Sequence, residues 1–327
     1  MSEELGFDFQ AMGSPCALRL VGRHEAALQA AAMVAIDEVR RIEQRYSRYL
    51  DNSLVSQINA AAGTGRAINV DTETAALLDF AAQLHAESAG RFDITSGVLR
   101  RAWNWGNARV PGAAEIDALR PLIGWQQVQW DGRCIALPRN GMQIDLGGIG
   151  KEYAADRAAA LLGAHGVSGG FVDLGGDIVV IGPRADASPW RVGLQHPRKA
   201  GALLGCVELG RGALATSGDY ARCVEVNGRR YSHLLDATTG WPAGHWQSVS
   251  VLAPSCAAAG ALATLAMLKD ESAIGFLREG GQPFLAVRHD GTRLAGRGMG
   301  ASVHPPPEGR IQTGSRAADT SRGYTRR

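Results

Sequence analysis

Gln143-Ile144-Asp145-Leu146-Gly147-Gly148-Ile149-Gly150-Lys151-Glu152-Tyr153 reads as a β-type stretch, a glycine turn and the start of a helix that continues through Leu162. Glycines in such a turn let the backbone come close to a ligand. A helix that begins there offers free N–H groups and a positive dipole end, a ready seat for phosphate, and Lys151 adds a point charge. The segment is not a P-loop: position 145 lacks the required glycine, and Glu152 stands where Ser or Thr would hold magnesium. Its glycines at 147, 148 and 150 do not match GxGxxG either. Taken alone, it is equally well a structural turn.

Downstream, Phe171 to Ile181 is a β-type run broken by a second Asp-Leu-Gly-Gly, Asp173 to Gly176, an echo too short to be a repeat. Strands are expected at Trp190–Leu194, Arg222–Val226 and Gln247–Leu252. Helices are expected at Ala257–Leu268 and Glu271–Arg278, and Phe284–Val287 and Thr292–Ala295 flank the hairpin signal His289-Asp290-Gly291. Upstream, Phe7 to Val21 alternates as an opening strand interrupted at Gly13-Ser14-Pro15. Leu28, Ala31, Ala35, Val39, Ile42 and Tyr46 recur at spacings of three and four, the stripe of an amphipathic helix. A second helix spans Thr72–Ser88, with Asp71 as N-cap and Gly90 just past its end. Helices and strands mix without strict βαβ alternation, so the fold class is α+β. No linker divides residues 1–301, which read as one domain; residues 302–327, with three consecutive prolines and few large apolar side chains, read as a disordered tail.

Of 327 residues, 45% are hydrophobic and 20% charged, and the net charge of +2 gives no reason to expect nucleic acid as a partner. The five cysteines are odd in number, widely spaced and without a CxxC pair, which argues against a disulfide framework or zinc site and fits a reducing compartment. The N-terminus has no signal-peptide pattern and no stretch has the length of a membrane span. The chain as written is expected in the cytoplasm, although a trimmed leader would look the same.

Four further stretches could carry chemistry. Ala215-Thr216-Ser217-Gly218-Asp219-Tyr220 reads as a polar loop. His233 and Asp236 lie three residues apart ahead of Thr239-Gly240, an arrangement more often structural than catalytic. Gly260 and Thr264 fall one turn apart on one helix face. Phe92-Asp93-Ile94-Thr95 precedes Trp103-Asn104-Trp105, aromatics that core packing explains as well as a ligand does.

In their order the signals form one series: Met12-Gly13-Ser14, Ser47-Arg48-Tyr49, Phe92-Asp-x-Thr, Trp103, Asp145-Leu-Gly-Gly-Ile-Gly-Lys151, Asp173-Leu-Gly-Gly, Ala215 to Tyr220, His233-x-x-Asp236-x-x-Thr239-Gly240 and Ala261-Leu-Ala-Thr264. This series resembles the ApbE family of flavin transferases from about residue 7 to residue 296. The resemblance implies an enzyme that cleaves FAD, attaches FMN to a Thr or Ser hydroxyl of an acceptor protein and releases AMP, with Mg2+ required. It implies FAD contacts from Met12, Tyr49, Trp103, Asn104, Trp105, Asp145, Lys151 and Leu234, with His233 and Asp236 as the acid/base pair. For the metal it implies the Gly148 carbonyl, the Thr264 hydroxyl and an aspartate at position 260.

The chain departs from that pattern at three places. Trp103-Asn104-Trp105 replaces Trp-Gly-Phe, Gly260 replaces the aspartate, and Glu152 stands where glycine is usual. The absent aspartate leaves two expectations besides a structural relic. One is a working transferase with Asp177, Asp219 or Asp236 completing the metal shell. The other is an FAD-binding relative, a carrier or sensor, in which Gly260→Asp would raise Mg2+-dependent cleavage.

Overall fold

The computed structural model describes residues 3–105, 109–220 and 223–299. The expected tail, and Arg222 at the start of one expected strand, lie outside them.

The opening strand is a hairpin, β1 (Glu3–Ala11) and β2 (Ser14–Gly22), turning at Met12-Gly13, where both residues have positive φ (53° and 67°). Then follow α1 (Glu25–Tyr46), α2 (Leu54–Ala60), β3 (Ile68–Asn69) and α3 (Thr72–Glu87). Asp71 caps α3 by accepting from Thr74 N at 3.0 Å, and Gly90 follows its end at φ 81°. A 3-10 helix (Ile94–Arg101), α4 (Ala113–Asp117), β4 (Gln129–Trp130) and β5 (Cys134–Ala136) lead to α5 (Gly150–Ala164). Beyond it lie β6 (Gly169–Leu174), β7 (Asp177–Gly182), β8 (Trp190–Gln195), β9 (Leu203–Leu209), β10 (Gly212–Gly218), β11 (Cys223–Val226) and β12 (Arg229–Ser232). The order closes with β13 (Trp246–Ala253), α6 (Cys256–Leu268), α7 (Ala273–Glu279), β14 (Phe284–Arg288) and β15 (Arg293–Ala295).

Eight of these strands form one antiparallel sheet in the order β1-β2-β6-β7-β10-β13-β14-β15. One face buries the apolar stripes of α1, α5 and α6, with Leu18, Leu20, Val39, Ala155, Ala158 and Ala259 inside. The other packs Val180, Leu214, Leu285 and Val287 against Val192, Leu194, Val207 and Leu209 of the β8–β9 hairpin. The fold is therefore α+β, in three layers.

Two local expectations fail, both for hydrogen-bonding reasons. The stretch before the glycine turn is not a strand. Ile144 N donates to Asn59 Oδ1 at 2.7 Å and Ile144 O accepts from Asn59 Nδ2 at 3.0 Å, so one amide side chain replaces a neighbouring strand. Conversely, Ala215 to Gly218 is not a loop but the end of β10, where Thr216 and Ser217 pair with Ser250 and Val249. Its hydroxyls are satisfied inside the fold, Thr216 with Ser250 and Ser217 with Thr264, each at 2.8 Å.

Register places several of these features at one end of the sheet. Cys16 of β2 pairs with Leu174 of β6, and Leu174 with Asp177 of β7, so the Met12-Gly13 and Gly175-Gly176 turns adjoin. The polar end of β10 runs past the start of β7, since Leu214 already pairs with Ile178. α5 begins over the same end.

Candidate functional site

A cleft of about 2280 Å³ opens there. That exceeds the roughly 300–1,000 Å³ of ordinary small-molecule pockets. Its walls bring together Met12, Tyr49, Asp145, Gly148, Lys151, His233, Leu234 and Thr264. Trp103, Asn104, Trp105 and Asp236 are not part of that wall. Trp103 is instead a core residue, stacked on Trp105 at 5.4 Å, with its indole N–H donating to the Gly240 carbonyl at 2.9 Å. Asp236 accepts from Thr238 N and Oγ1 at 2.8 and 2.6 Å and faces Arg91 at 3.5 Å, so it shapes the loop that carries His233.

The glycine turn delivers the start of α5 to the cleft. No side chain caps this helix, whose N-cap residue is Ile149, and Gly147, Gly148 and Gly150 all line the space in front of it. Bare glycine backbone at an uncapped helix start is an anion seat. Asp145, just before it, is held by two arginines: Arg48 Nη1 at 3.1 Å and Arg100 Nε at 3.3 Å both reach its Oδ2. Its Oδ1 accepts from Gly147 N at 2.9 Å, which fixes the turn. Arg48 also donates to the Gly97 carbonyl at 2.9 Å and to Gln143 Oε1 at 3.1 Å. Neither arginine was a sequence candidate by role; their only signal was adjacency to Tyr49 and to the aromatic segment.

The floor beside this seat is acidic. Lys151 Nζ is paired with Asp177 Oδ2. Burial alone would lower the Lys151 pKa, but the Asp177 and Glu152 carboxylates outweigh it and hold the ammonium above its usual range. Burial pushes the Asp173 carboxyl up to about 7, against the Gly176 N–H that donates to it at 2.7 Å. Burial likewise pushes the Glu152 carboxyl well above the usual carboxylate range, with Asp177 adding to the rise and Lys151 opposing it. Glu152 is 8% exposed, and its Oε2 is buried without a hydrogen-bond partner. Of the other acids expected near a metal, Asp219 is taken up by Arg198 in a two-pronged pair at 2.6 Å each. Among the described residues, no three His, Cys, Asp or Glu side chains converge as an all-protein metal cage.

The ApbE family model matches residues 12–285. The chain belongs to the ApbE family. The FAD:protein FMN transferase of Treponema pallidum is 32% identical over 292 residues, covering 82% of this chain and 80% of the relative. The one from Vibrio cholerae is 30% identical over 277 residues, 83% of each chain. Among solved structures, the ApbE protein of Thermotoga maritima superposes with a TM-score of 0.83 at 31% identity, over 92% of this chain and all of that one. The flavin transferase ApbE of Vibrio cholerae gives 0.80 at 26% identity, over 93% of this chain and all of the other. No helix among the described residues is long and apolar enough to cross a membrane.

Proposed function

We propose that this ApbE-family chain is an FAD:protein FMN transferase: it cleaves FAD and joins the FMN phosphate to a Thr or Ser hydroxyl of an acceptor protein. The observation that carries this reading is the uncapped, glycine-built start of α5 inside a cleft that also holds Lys151, His233 and Thr264. The cleft is large enough for a dinucleotide and for a segment of a second chain. The adjoining domain reading, one catalytic unit over residues 1–301 with a separate tail, goes with it.

The chemistry follows from the residues. The pyrophosphate lies on the backbone N–H groups before α5, with Lys151 beside it, so charge developing on the phosphoryl oxygens meets fixed donors. Met12 and Leu234 offer apolar surface to the isoalloxazine, and Tyr49, 72% exposed at the rim, can close over it. The acceptor oxygen attacks the FMN phosphorus as its proton passes to His233. The P–O bond to AMP breaks, and the electron pair leaves with AMP. Trp103 packs on Trp105, Tyr231 and Trp241 and keeps a core role.

The donor set fits Mg2+. This ion is typically held by one or two carboxylates plus substrate phosphates rather than by an all-protein cage. Glu152, whose Oε2 is left without a hydrogen-bond partner, lines the same cleft as Thr264 and Gly148. When bound there, the ion would neutralise pyrophosphate charge.

The test is incubation of the full chain with FAD and Mg2+, with and without an acceptor peptide containing threonine. AMP release with a covalent flavin on the peptide is the expected result. FAD bound but intact under both conditions would replace this reading with that of a flavin-holding relative.

A further inference from the structure

Position 260 is empty of side chain, but the space a side chain there would occupy is full. A Cβ built on Gly260 would stand 2.5 Å from Glu152 Cγ, 2.9 Å from its Oε1 and 3.1 Å from its Cδ. Real Cβ atoms do not approach that closely, so the glycine on α6 is the cradle into which the α5 glutamate folds. The two helices are locked in that relation: Asp156 of α5 accepts from Cys256 N and Ala257 N at 2.7 and 2.9 Å, at the start of α6.

A carboxylate so enclosed, with one oxygen unpartnered, is costly unless something neutralises it. A proton is one answer and a cation the other. The nearest cation, Lys151, is committed to Asp177. A phosphate brought to the α5 start would meet the buried acids Glu152, Asp173 and Asp177, with the Lys151 ammonium already paired to one of them. Oxygen donors that suit a hard cation are at hand: Thr264, one turn along α6 from Gly260, lines the cleft together with Glu152, as does Ser217, whose hydroxyl meets Thr264 at 2.8 Å.

We propose that Glu152 is the charged protein ligand of a divalent cation in this chain, reaching from α5 across Gly260 to the cation position beside Thr264. The two departures at 152 and 260 are then one exchange: the carboxylate has changed helix without leaving the site. Asp177, Asp219 and Asp236 are not needed for that role, being engaged by Lys151, Arg198, and Thr238 with Arg91. Gly260→Asp alone, expected from sequence to add a missing ligand, instead crowds a second acid onto Glu152.

The inference deepens the transferase reading, but its test does not depend on turnover. Mn2+ is titrated into the full chain and followed by electron paramagnetic resonance, with Mg2+ as competitor and thermal melting as the check on folding. Glu152→Gln, nearly the same shape without the charge, is expected to weaken Mn2+ binding about tenfold or more. Glu152→Gly combined with Gly260→Asp is expected to recover affinity to within about threefold of the parent, while either change alone does not, the non-additivity of groups sharing one space. Parent-like Mn2+ affinity in Glu152→Gln, a double variant no better than Glu152→Gly, or a parent chain that binds no Mn2+ would overturn the assignment. Tight, Glu152-dependent Mn2+ binding without AMP release would uphold the ligand and sink the transferase reading instead.

Discussion

Asp156 is the strut between the two helices that build the site, and removing it has a calculable consequence. Its Oδ1 and Oδ2 accept from the first two N–H groups of α6, Cys256 at 2.7 Å and Ala257 at 2.9 Å. A hydrogen bond to a charged group contributes about 1.5–3 kcal/mol, and the positive end of the helix dipole favours the same charge. Two losses would suggest about 3–6 kcal/mol by that scale, but two effects reduce the sum. Burial raises the Asp156 pKa despite both N–H donors, so desolvation already consumes part of the gain. In addition, Ser255 remains as an N-cap, accepting from Ala258 N at 3.3 Å. A net cost of about 2 kcal/mol for Asp156→Ala is therefore expected, and about half that for Asp156→Asn, which keeps one acceptor. The assay is urea unfolding followed by intrinsic fluorescence, in which the midpoint should fall while the slope stays unchanged. Because α6 carries Gly260 and Thr264 against Glu152, Mn2+ affinity should fall too. A cost of Asp156→Ala below about 0.5 kcal/mol, the range of ordinary surface changes, would refute the strut.

Two further outcomes follow from the same geometry. The folded chain holds the Asp173 proton more tightly than the unfolded chain, with the pKa raised from 3.8 to about 7. Stability from this group is therefore present below about pH 4 and lost as pH rises toward 7, by no more than about 4 kcal/mol. In Asp173→Asn, thermal melts across that range should lose this share of the slope; an unchanged slope would show that Asp173 titrates normally. His233→Ala should lower the rate of FMN transfer by about 10²–10⁴, the usual share of a positioned acid/base, while FAD affinity by flavin fluorescence changes less than about threefold. Equal losses in both would assign His233 to binding.

Much of the fold was legible because its signals are local. The stripe from Leu28 to Tyr46, the Asp71 cap and the His289-Asp290-Gly291 turn each state their structure within a few residues. Where the reading failed, a distant partner decided. Ile144 lies in no strand because Asn59, far away in sequence, supplies its backbone hydrogen bonds. Ser217 and Gly218 look like a loop because the partners of their strand, Val249 and Ser248, lie some thirty residues on. Trp103 and Asp236 match a ligand-binding pattern and yet serve packing and a turn, since residue type alone does not say which way a side chain faces.

The pair at 152 and 260 shows why such failures concentrate at the site. Read along the chain, an acid beside a phosphate seat and a glycine inside a helix are two separate liabilities, the second worth about 1 kcal/mol against alanine. Read in space, each explains the other. Without Gly260 the Glu152 side chain has no room, and without Glu152 the cleft keeps a lysine committed to Asp177 and no carboxylate folded against position 260. A single substitution at either position leaves a clash or a hole, so only the exchange as a whole keeps both the packing and the charge. That is why restoring the aspartate alone should fail where restoring it together with the glycine at 152 should succeed.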